Sequence, residues 1–144
     1  MREISGDLWA EHAAGAVVVI TTNGAVTRDG KAIMLRGCAC QAKERYPELT
    51  PLIRPLLDLH GMQVFELGRR IVSFPVEADP YQNPELCLIE QSCRELVELV
   101  DIKGWQRIVV PRPGCGGGGL AWDYVRPVLE QYFDERFYVI SKEQ

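Results

Sequence analysis

The chain has 144 residues, of which 47% are hydrophobic and 25% charged, and it carries a net charge of −4. This length predicts a single domain over residues 1–144, with enough buried surface to fold without disulfides or a structural metal. The composition excludes a disordered chain, and its longest apolar runs, such as Ala13–Ile20, are too short to span a bilayer. Because the balance is acidic and no long run of lysine and arginine occurs, general nucleic-acid binding is not expected.

The cysteines and histidines bear on compartment and metal binding. There are five cysteines, an odd count without a CxxC pair, which argues against a disulfide framework and a zinc ribbon. Cysteines used as small core residues indicate a reducing compartment, and Met1–Ser5 lacks the apolar stretch of a signal peptide, so we expect a cytoplasmic protein without a membrane partner. His12 and His60 lie far apart and match no ligand spacing; neither a metal site nor a cofactor is expected.

The first half of the chain alternates between strand-like and helix-like segments. Ala16–Thr22 is a continuous, largely β-branched run, which predicts a central strand covered on both faces. Helices are predicted over Gly37–Arg45 and Pro51–Leu59. Met62–Leu67 and Arg70–Phe74 are predicted to form a hairpin that turns at Gly68.

The second half opens with the strongest helix signal in the sequence. Asn83 is predicted to cap this helix, Pro84 to take its first position, and Lys103-Gly104 to end it. A strand over Arg107–Val110, a helix over about Trp122–Tyr132 and a closing strand over Phe137–Ile140 follow. This alternation predicts an α/β fold, in which ligands bind at the carboxyl ends of the central strands.

A glycine-rich loop follows the second central strand. Its sequence is Gly114-Cys115-Gly116-Gly117-Gly118-Gly119. Glycine lets the backbone approach a ligand, and successive N–H groups form an anion-binding nest, so the loop predicts a diphosphate site that needs no lysine. The alternative is a turn that only permits tight packing. The spacing also satisfies GxGxxG, but too few elements follow for a Rossmann half, and the loop is not a P-loop.

Four segments together resemble the macrodomain family. They are Gly6-Asp7-Leu8, Thr21-Thr22-Asn23-Gly24, Met34–Ala39 with Gln41-Ala42-Lys43, and Pro113–Trp122. The four segments extend over nearly the whole chain. Their order and spacing are similar to those of the branch that includes antitoxin-type DNA ADP-ribosyl glycohydrolases and related bacterial and phage proteins. The resemblance implies a three-layer α/β/α fold with a mixed central sheet, and ADP-ribose as the ligand.

The resemblance also implies a role for each matching position. Asp7, with the Leu8 backbone, would bind the adenine amino group, and Asn23 would bond the distal ribose. Arg36, Gly37 and Cys38 would border the distal ribose or the phosphates, while Gly114, Cys115, Gly116, Gly117, Gly118, Gly119 and Leu120 would hold the diphosphate. Asp7 and Asn23 are also common turn residues, Arg36 is equally explained as a solvated loop charge, and Trp122 is expected to pack behind the loop.

The sequence departs from this branch at positions that bear on chemistry. Glu77 stands where the branch usually has a lysine nucleophile, Ala121 where it often has an acid, and Leu35 near a usual glycine. A carboxylate cannot replace an amine in a Schiff-base intermediate, but Glu77 or Asp79 remains a candidate general base. Cys115, near a helix N-terminus that would lower its thiol pKa, is a candidate nucleophile, although a packing role is favoured.

Two functions follow, and the residues do not decide between them. The first is a module that binds ADP-ribose or a derivative and recognises ADP-ribosylated macromolecules. The second is a hydrolase that removes ADP-ribose from DNA or protein, or a phosphatase acting on ADP-ribose-1″-phosphate, with altered catalytic residues.

Overall fold

The computed structural model describes residues 1–24, 34, 37–78, 84–116 and 119–142. Several positions that the sequence singled out lie outside these residues: Leu35, Arg36, Asp79, Asn83, Gly117 and Gly118.

The described residues contain a six-stranded mixed sheet. Its strands are Arg2–Ser5 (β1), Val17–Asn23 (β2), Phe65–Gly68 (β3), Ile71–Glu77 (β4), Ile108–Pro111 (β5) and Phe137–Ser141 (β6), in the order β1-β6-β5-β2-β4-β3. Every neighbouring pair is parallel except the β3–β4 hairpin. The prediction of β2 and β5 as central neighbours is confirmed.

Helices cover both faces of the sheet. They are Leu8–Ala13 (α1), Gly37–Arg45 (α2), Leu49–His60 (α3), Leu86–Lys103 (α4) and Trp122–Glu130 (α5). Alternate residues of β2 enter opposite cores: Val17 and Val19 pack with α4 and α5, whereas Val18 and Ile20 pack with the first three helices. This confirms the three-layer α/β/α prediction. Among the described residues, no helix combines the length and apolarity needed to cross a membrane.

Two elements at the N-terminus were not predicted. β1 is an edge strand whose residues are mostly exposed, and α1 has only six residues, so neither shows a clear period in the sequence. Their positions depend on distant partners, since β1 pairs with β6 at the other end of the chain.

The start of α4 corrects one prediction. Pro84 precedes the helix instead of taking its first position, and Glu85 is the N-cap, with an extended backbone. The reason is that the Glu85 N–H donates to the Val76 carbonyl at the end of β4, at 3.0 Å. The predicted end of this helix is confirmed, because Gly104 adopts the left-handed conformation with φ of 70°.

Candidate functional site

A cavity of about 440 Å³ lies at the carboxyl edge of the sheet, where the sequence predicted a ligand site. Its walls come from the ends of β2, β4, β5 and β6 and from the starts of α1 and α2. Eight of the residues to which a ligand-binding or catalytic role was assigned line it: Asp7, Leu8, Asn23, Gly37, Cys38, Glu77, Gly114 and Gly116. The structure does not place Cys115, Gly119 or Leu120 in this lining.

One end of the cavity is formed by the turn from β1 into α1. Gly6 donates its N–H to the Ser141 carbonyl at 2.8 Å, which ties this turn to the end of β6. Asp7 caps α1, because its Oδ1 accepts the Trp9 N–H at 3.0 Å. The cap orients the exposed carboxylate at the cavity, so Asp7 serves as a turn residue and faces the ligand space as well.

The opposite end lies between the carboxyl ends of β2 and β4. The register shifts here, so that Thr22 pairs with Pro75 but Asn23 pairs with Glu77. This shift brings the half-buried Asn23 beside Glu77, which is only 6% exposed. Both residues line this end of the cavity.

The start of α2 is held against β2 by a sulfur contact. The Thr21 N–H donates to Cys38 Sγ at 3.4 Å, and Thr21 Oγ1 lies 3.5 Å from the same sulfur. Gly37 begins the helix with a positive φ of 61°, a conformation that favours glycine. Cys38 thus fixes the position of the helix that closes the cavity.

The glycine-rich loop connects the two ends, and Gly114 anchors it. Gly114 has φ of +73°, and a Cβ there would lie 2.8 Å from Leu120 Cδ1 and 3.0 Å from Pro84 Cβ. Its carbonyl accepts the Leu120 N–H at 2.9 Å. Leu120 packs against the core beneath the loop instead of lining the cavity. At Gly114, tight packing and exposure of backbone to the cavity therefore occur together.

The prediction of a lowered thiol pKa at Cys115 is wrong. Burial raises the pKa of Cys115, and the nearby Arg112 only partly offsets this effect. Cys115 Sγ donates instead to the Pro113 carbonyl at 3.5 Å, as expected of a packing residue.

A polar cluster at the edge strand β1 joins the residues on either side of this loop, and no pattern in the sequence predicts it. Glu3 on β1 accepts the Trp122 indole N–H at 2.8 Å and lies 3.7 Å from the Arg112 guanidinium. Arg112 in turn lies over the Trp122 ring, 4.8 Å from its centroid. Since Arg112 precedes the loop and Trp122 follows it, Glu3 ties the two loop ends to the edge strand. Trp122 also packs behind the loop, as predicted.

The charges facing the cavity are few. Among the described residues its charged lining consists of Asp7, Glu77 and Lys142. Within the same part of the chain, no cluster of three or more histidine, cysteine or acidic residues is arranged to hold a metal ion. The polar groups for a ligand are therefore backbone N–H groups, carboxylates at both ends and the amides of Asn23 and Gln41.

Comparisons with known proteins give one consistent assignment of fold. No family model matches the chain. The DNA ADP-ribosyl glycohydrolase of Mycobacterium tuberculosis is 26% identical over 113 residues, which is 72% of this chain and 32% of that protein. The chain thus spans about a third of the length of the curated relatives it matches.

Solved structures superpose on almost the whole of this chain. The macrodomain of Mycobacterium tuberculosis DarG superposes with a TM-score of 0.77 and 24% identity, covering 99% of this chain and 97% of that one. Thermosipho africanus DarTG, solved in complex with ADP-ribose, gives a TM-score of 0.76 and 19% identity, covering 99% and 42%. The chain therefore has the fold of these macrodomains, with a cavity at the carboxyl edge of its sheet. It is similar in sequence to the DNA ADP-ribosyl glycohydrolase of Mycobacterium tuberculosis and in fold to the macrodomain of DarG from the same organism.

Proposed function

We propose that the chain binds ADP-ribose in the cavity at the carboxyl edge of the sheet. The observation that carries this proposal is the alignment of three kinds of group along one cavity: the Asp7 carboxylate, the backbone of Gly114 and Gly116, and the Asn23–Glu77 pair. Because β6, β5, β2 and β4 follow one another in the sheet, these groups are met in that order along its edge.

The order matches the parts of ADP-ribose. Asp7 accepts a hydrogen bond from the adenine amino group, and the Leu8 backbone N–H at the first turn of α1 lies next to it. The loop backbone binds the diphosphate without any lysine. Asn23 hydrogen-bonds the distal ribose, bordered by Gly37 and Cys38. The similarity to Thermosipho africanus DarTG, which was solved with ADP-ribose, supports this assignment.

A second candidate function is favoured by one observation, the buried carboxylate of Glu77 beside Asn23 at the distal-ribose end. In this scheme ADP-ribosylated DNA is the substrate, in line with the similarity to the DNA ADP-ribosyl glycohydrolase of Mycobacterium tuberculosis. Glu77 accepts a proton from a water molecule whose oxygen attacks the anomeric carbon. The bond from that carbon to the DNA breaks, and the released DNA group takes the proton that Glu77 accepted from the water.

Calorimetry and a turnover assay test the two functions separately. The binding function predicts a saturable interaction with ADP-ribose, and no interaction at millimolar ADP-ribose would refute it. The turnover assay uses wild-type protein with ADP-ribosylated DNA, ADP-ribosylated protein and ADP-ribose-1″-phosphate. Release of ADP-ribose or phosphate above background identifies the reaction, whereas binding without turnover on all three substrates leaves a reader of ADP-ribose.

A further inference from the structure

Gln41 is a second oriented polar group at the Asp7 end of the cavity. It lies on α2, lines the cavity, and its Oε1 accepts the Trp9 indole N–H at 2.8 Å. An indole nitrogen only donates hydrogen bonds, so the amide atom that faces it must be the oxygen. The NH₂ group then occupies the other branch of the amide, and Gln41 presents donors to its remaining surroundings.

Trp9 orients both polar groups at this end. Its backbone N–H donates to Asp7 Oδ1 at 3.0 Å, while its indole N–H holds Gln41. The Trp9 side chain is itself fixed: it is 5% exposed, its ring lies 5.0 Å from the Arg45 guanidinium carbon, and the His12 ring packs edge-on against it. A buried ring with these contacts costs little further entropy to keep in place, so the two ligand-facing groups are held before a ligand arrives.

The resulting pair has a fixed polarity, with a carboxylate acceptor from Asp7 and an amide donor from Gln41. Adenine has the complementary pattern on one side: the amino group at C6 donates, and the ring nitrogens N1 and N7 on either side of it accept. We propose that Gln41 recognises the nucleobase by donating from its NH₂ group to one of these two ring nitrogens, with Trp9 as the positioning residue. The inference rests on the proposed function, because it needs an adenine nucleotide in this cavity.

The test compares Gln41→Leu, which removes the amide, with Gln131→Leu, which makes the same change at an exposed position outside the cavity lining. The probes are ADP, 1-deaza-ADP and 7-deaza-ADP, in which one ring nitrogen is replaced by C–H. Calorimetry should show that Gln41→Leu binds ADP about 3- to 10-fold more weakly, the effect of one hydrogen bond. Gln131→Leu should match the wild type.

The analogues identify the contacted atom. Wild-type protein should lose a similar factor for one deaza analogue only, and Gln41→Leu should bind that analogue as well as it binds ADP. A further variant, Gln41→Glu, still accepts the Trp9 N–H but has no donor. It should bind ADP more weakly than Gln41→Leu does, because its charge faces a nitrogen lone pair.

Three results would overturn the proposal. Unchanged ADP affinity in Gln41→Leu would show that the amide makes no ligand contact. An equal loss for ADP and both analogues would assign the effect to another part of the nucleotide. Full ADP affinity in Gln41→Glu would show that no donor is needed. If the wild type binds neither ADP nor ADP-ribose, both this proposal and the proposed function are refuted. If the wild type binds and the Gln41 variants bind equally well, only the role of Gln41 is refuted.

Discussion

Three glycines of the glycine-rich loop differ in ways that separate folding from binding. Gly114 combines a φ of +73° with a crowded Cβ position, Gly119 has a φ of +80° with open space around it, and Gly116 has neither restriction but lines the cavity. Alanine at each position therefore adds the same methyl group with three different consequences.

The expected stabilities follow from these geometries. Gly119→Ala carries only the strain of a left-handed backbone, about 1–2 kcal/mol. Gly114→Ala carries that strain plus overpacking of about 1–3 kcal/mol against Leu120 and Pro84, which gives about 2–5 kcal/mol in total. Gly116→Ala is expected to leave the free energy of unfolding unchanged or to raise it by up to about 1 kcal/mol, since the unfolded chain loses entropy.

If the backbone of the loop contacts the diphosphate, the three alanine variants should rank differently in ADP-ribose affinity than in the free energy of unfolding. We expect Gly116→Ala to weaken ADP-ribose binding by about 10-fold or more at full stability, because its Cβ would separate the ligand from the N–H groups. Gly117→Val and Gly118→Val, predicted from the sequence to abolish binding with little loss of fold, extend the series to positions outside the described residues.

Urea unfolding measures the stability of each variant, and calorimetry with ADP-ribose measures its affinity. Full affinity in Gly116→Ala would refute the close approach of this backbone to the ligand. Equal stability of Gly114→Ala and Gly119→Ala would show that the packing around Gly114 yields at no cost.

Substitutions at four further positions test the remaining parts of the site. Asp7→Ala should lower ADP-ribose affinity by about 10- to 100-fold and the free energy of unfolding by about 0.5–2 kcal/mol, because the cap of α1 is lost together with the ligand contact. Asp7→Ser keeps a capping side chain and should lose affinity only. Unchanged affinity of both variants in calorimetry would show that Asp7 is a capping residue alone. Glu3→Ala should reduce the affinity for ADP-ribose more than the free energy of unfolding, since the exposed ion pairs of Glu3 contribute less than about 1 kcal/mol while its contacts fix both loop ends. A loss of stability in urea unfolding without a loss of affinity in calorimetry would contradict this prediction. Glu77→Ala should bind ADP-ribose nearly as well as the wild type, and if the protein is an enzyme this change should lower the turnover rate by about 10²–10⁴-fold. Turnover that does not depend on Glu77 would place the catalytic group elsewhere. Activity that appears only in Glu77→Lys would indicate that an ancestral glycohydrolase activity has been lost. Ala121→Asp should raise the free energy of unfolding by about 0.5–2 kcal/mol in a urea titration, because Ala121 is the N-cap of α5 and makes no side-chain hydrogen bond to the helix. An unchanged free energy of unfolding would mean that the introduced acid does not cap the helix.

The central architecture was predictable because its signals are local. The run of β-branched residues in β2 reflects burial on both faces, and the glycine after Lys103 marks a helix end that only a left-handed residue provides. The turn after β3 was also recognised at Gly68, although positive φ values continue through Arg69 and Arg70, so that β4 begins at Ile71. Elements whose place depends on distant partners, such as β1, leave no comparable pattern.

The same distinction applies to the candidate site. Glycines in the loop and the Asn-Gly pair after β2 are visible in sequence because they reflect backbone geometry. The contacts of Glu3 with Trp122 and of Trp9 with Gln41 join residues far apart in the chain, and no spacing predicts them. The pKa of Cys115 was misjudged for this reason too, since burial depends on tertiary packing and not on the neighbouring glycines.

The fold constrains the binding frame and the reacting positions to different degrees. A Cβ at Gly114 would require Leu120 and Pro84 to shift, and Cys38 and Asp7 are tied to backbone groups that set the walls of the cavity, so changes there are expected to disturb both the structure and ligand binding. Glu77 pairs with Asn23 through its backbone, which is independent of side-chain type, and the backbone of Ala121 starts α5 without help from its side chain. An acid at position 121 would even add a cap. At both departures from the glycohydrolase branch the backbone arrangement does not depend on the type of side chain, so a different residue at position 77 is compatible with the proposed ADP-ribose site.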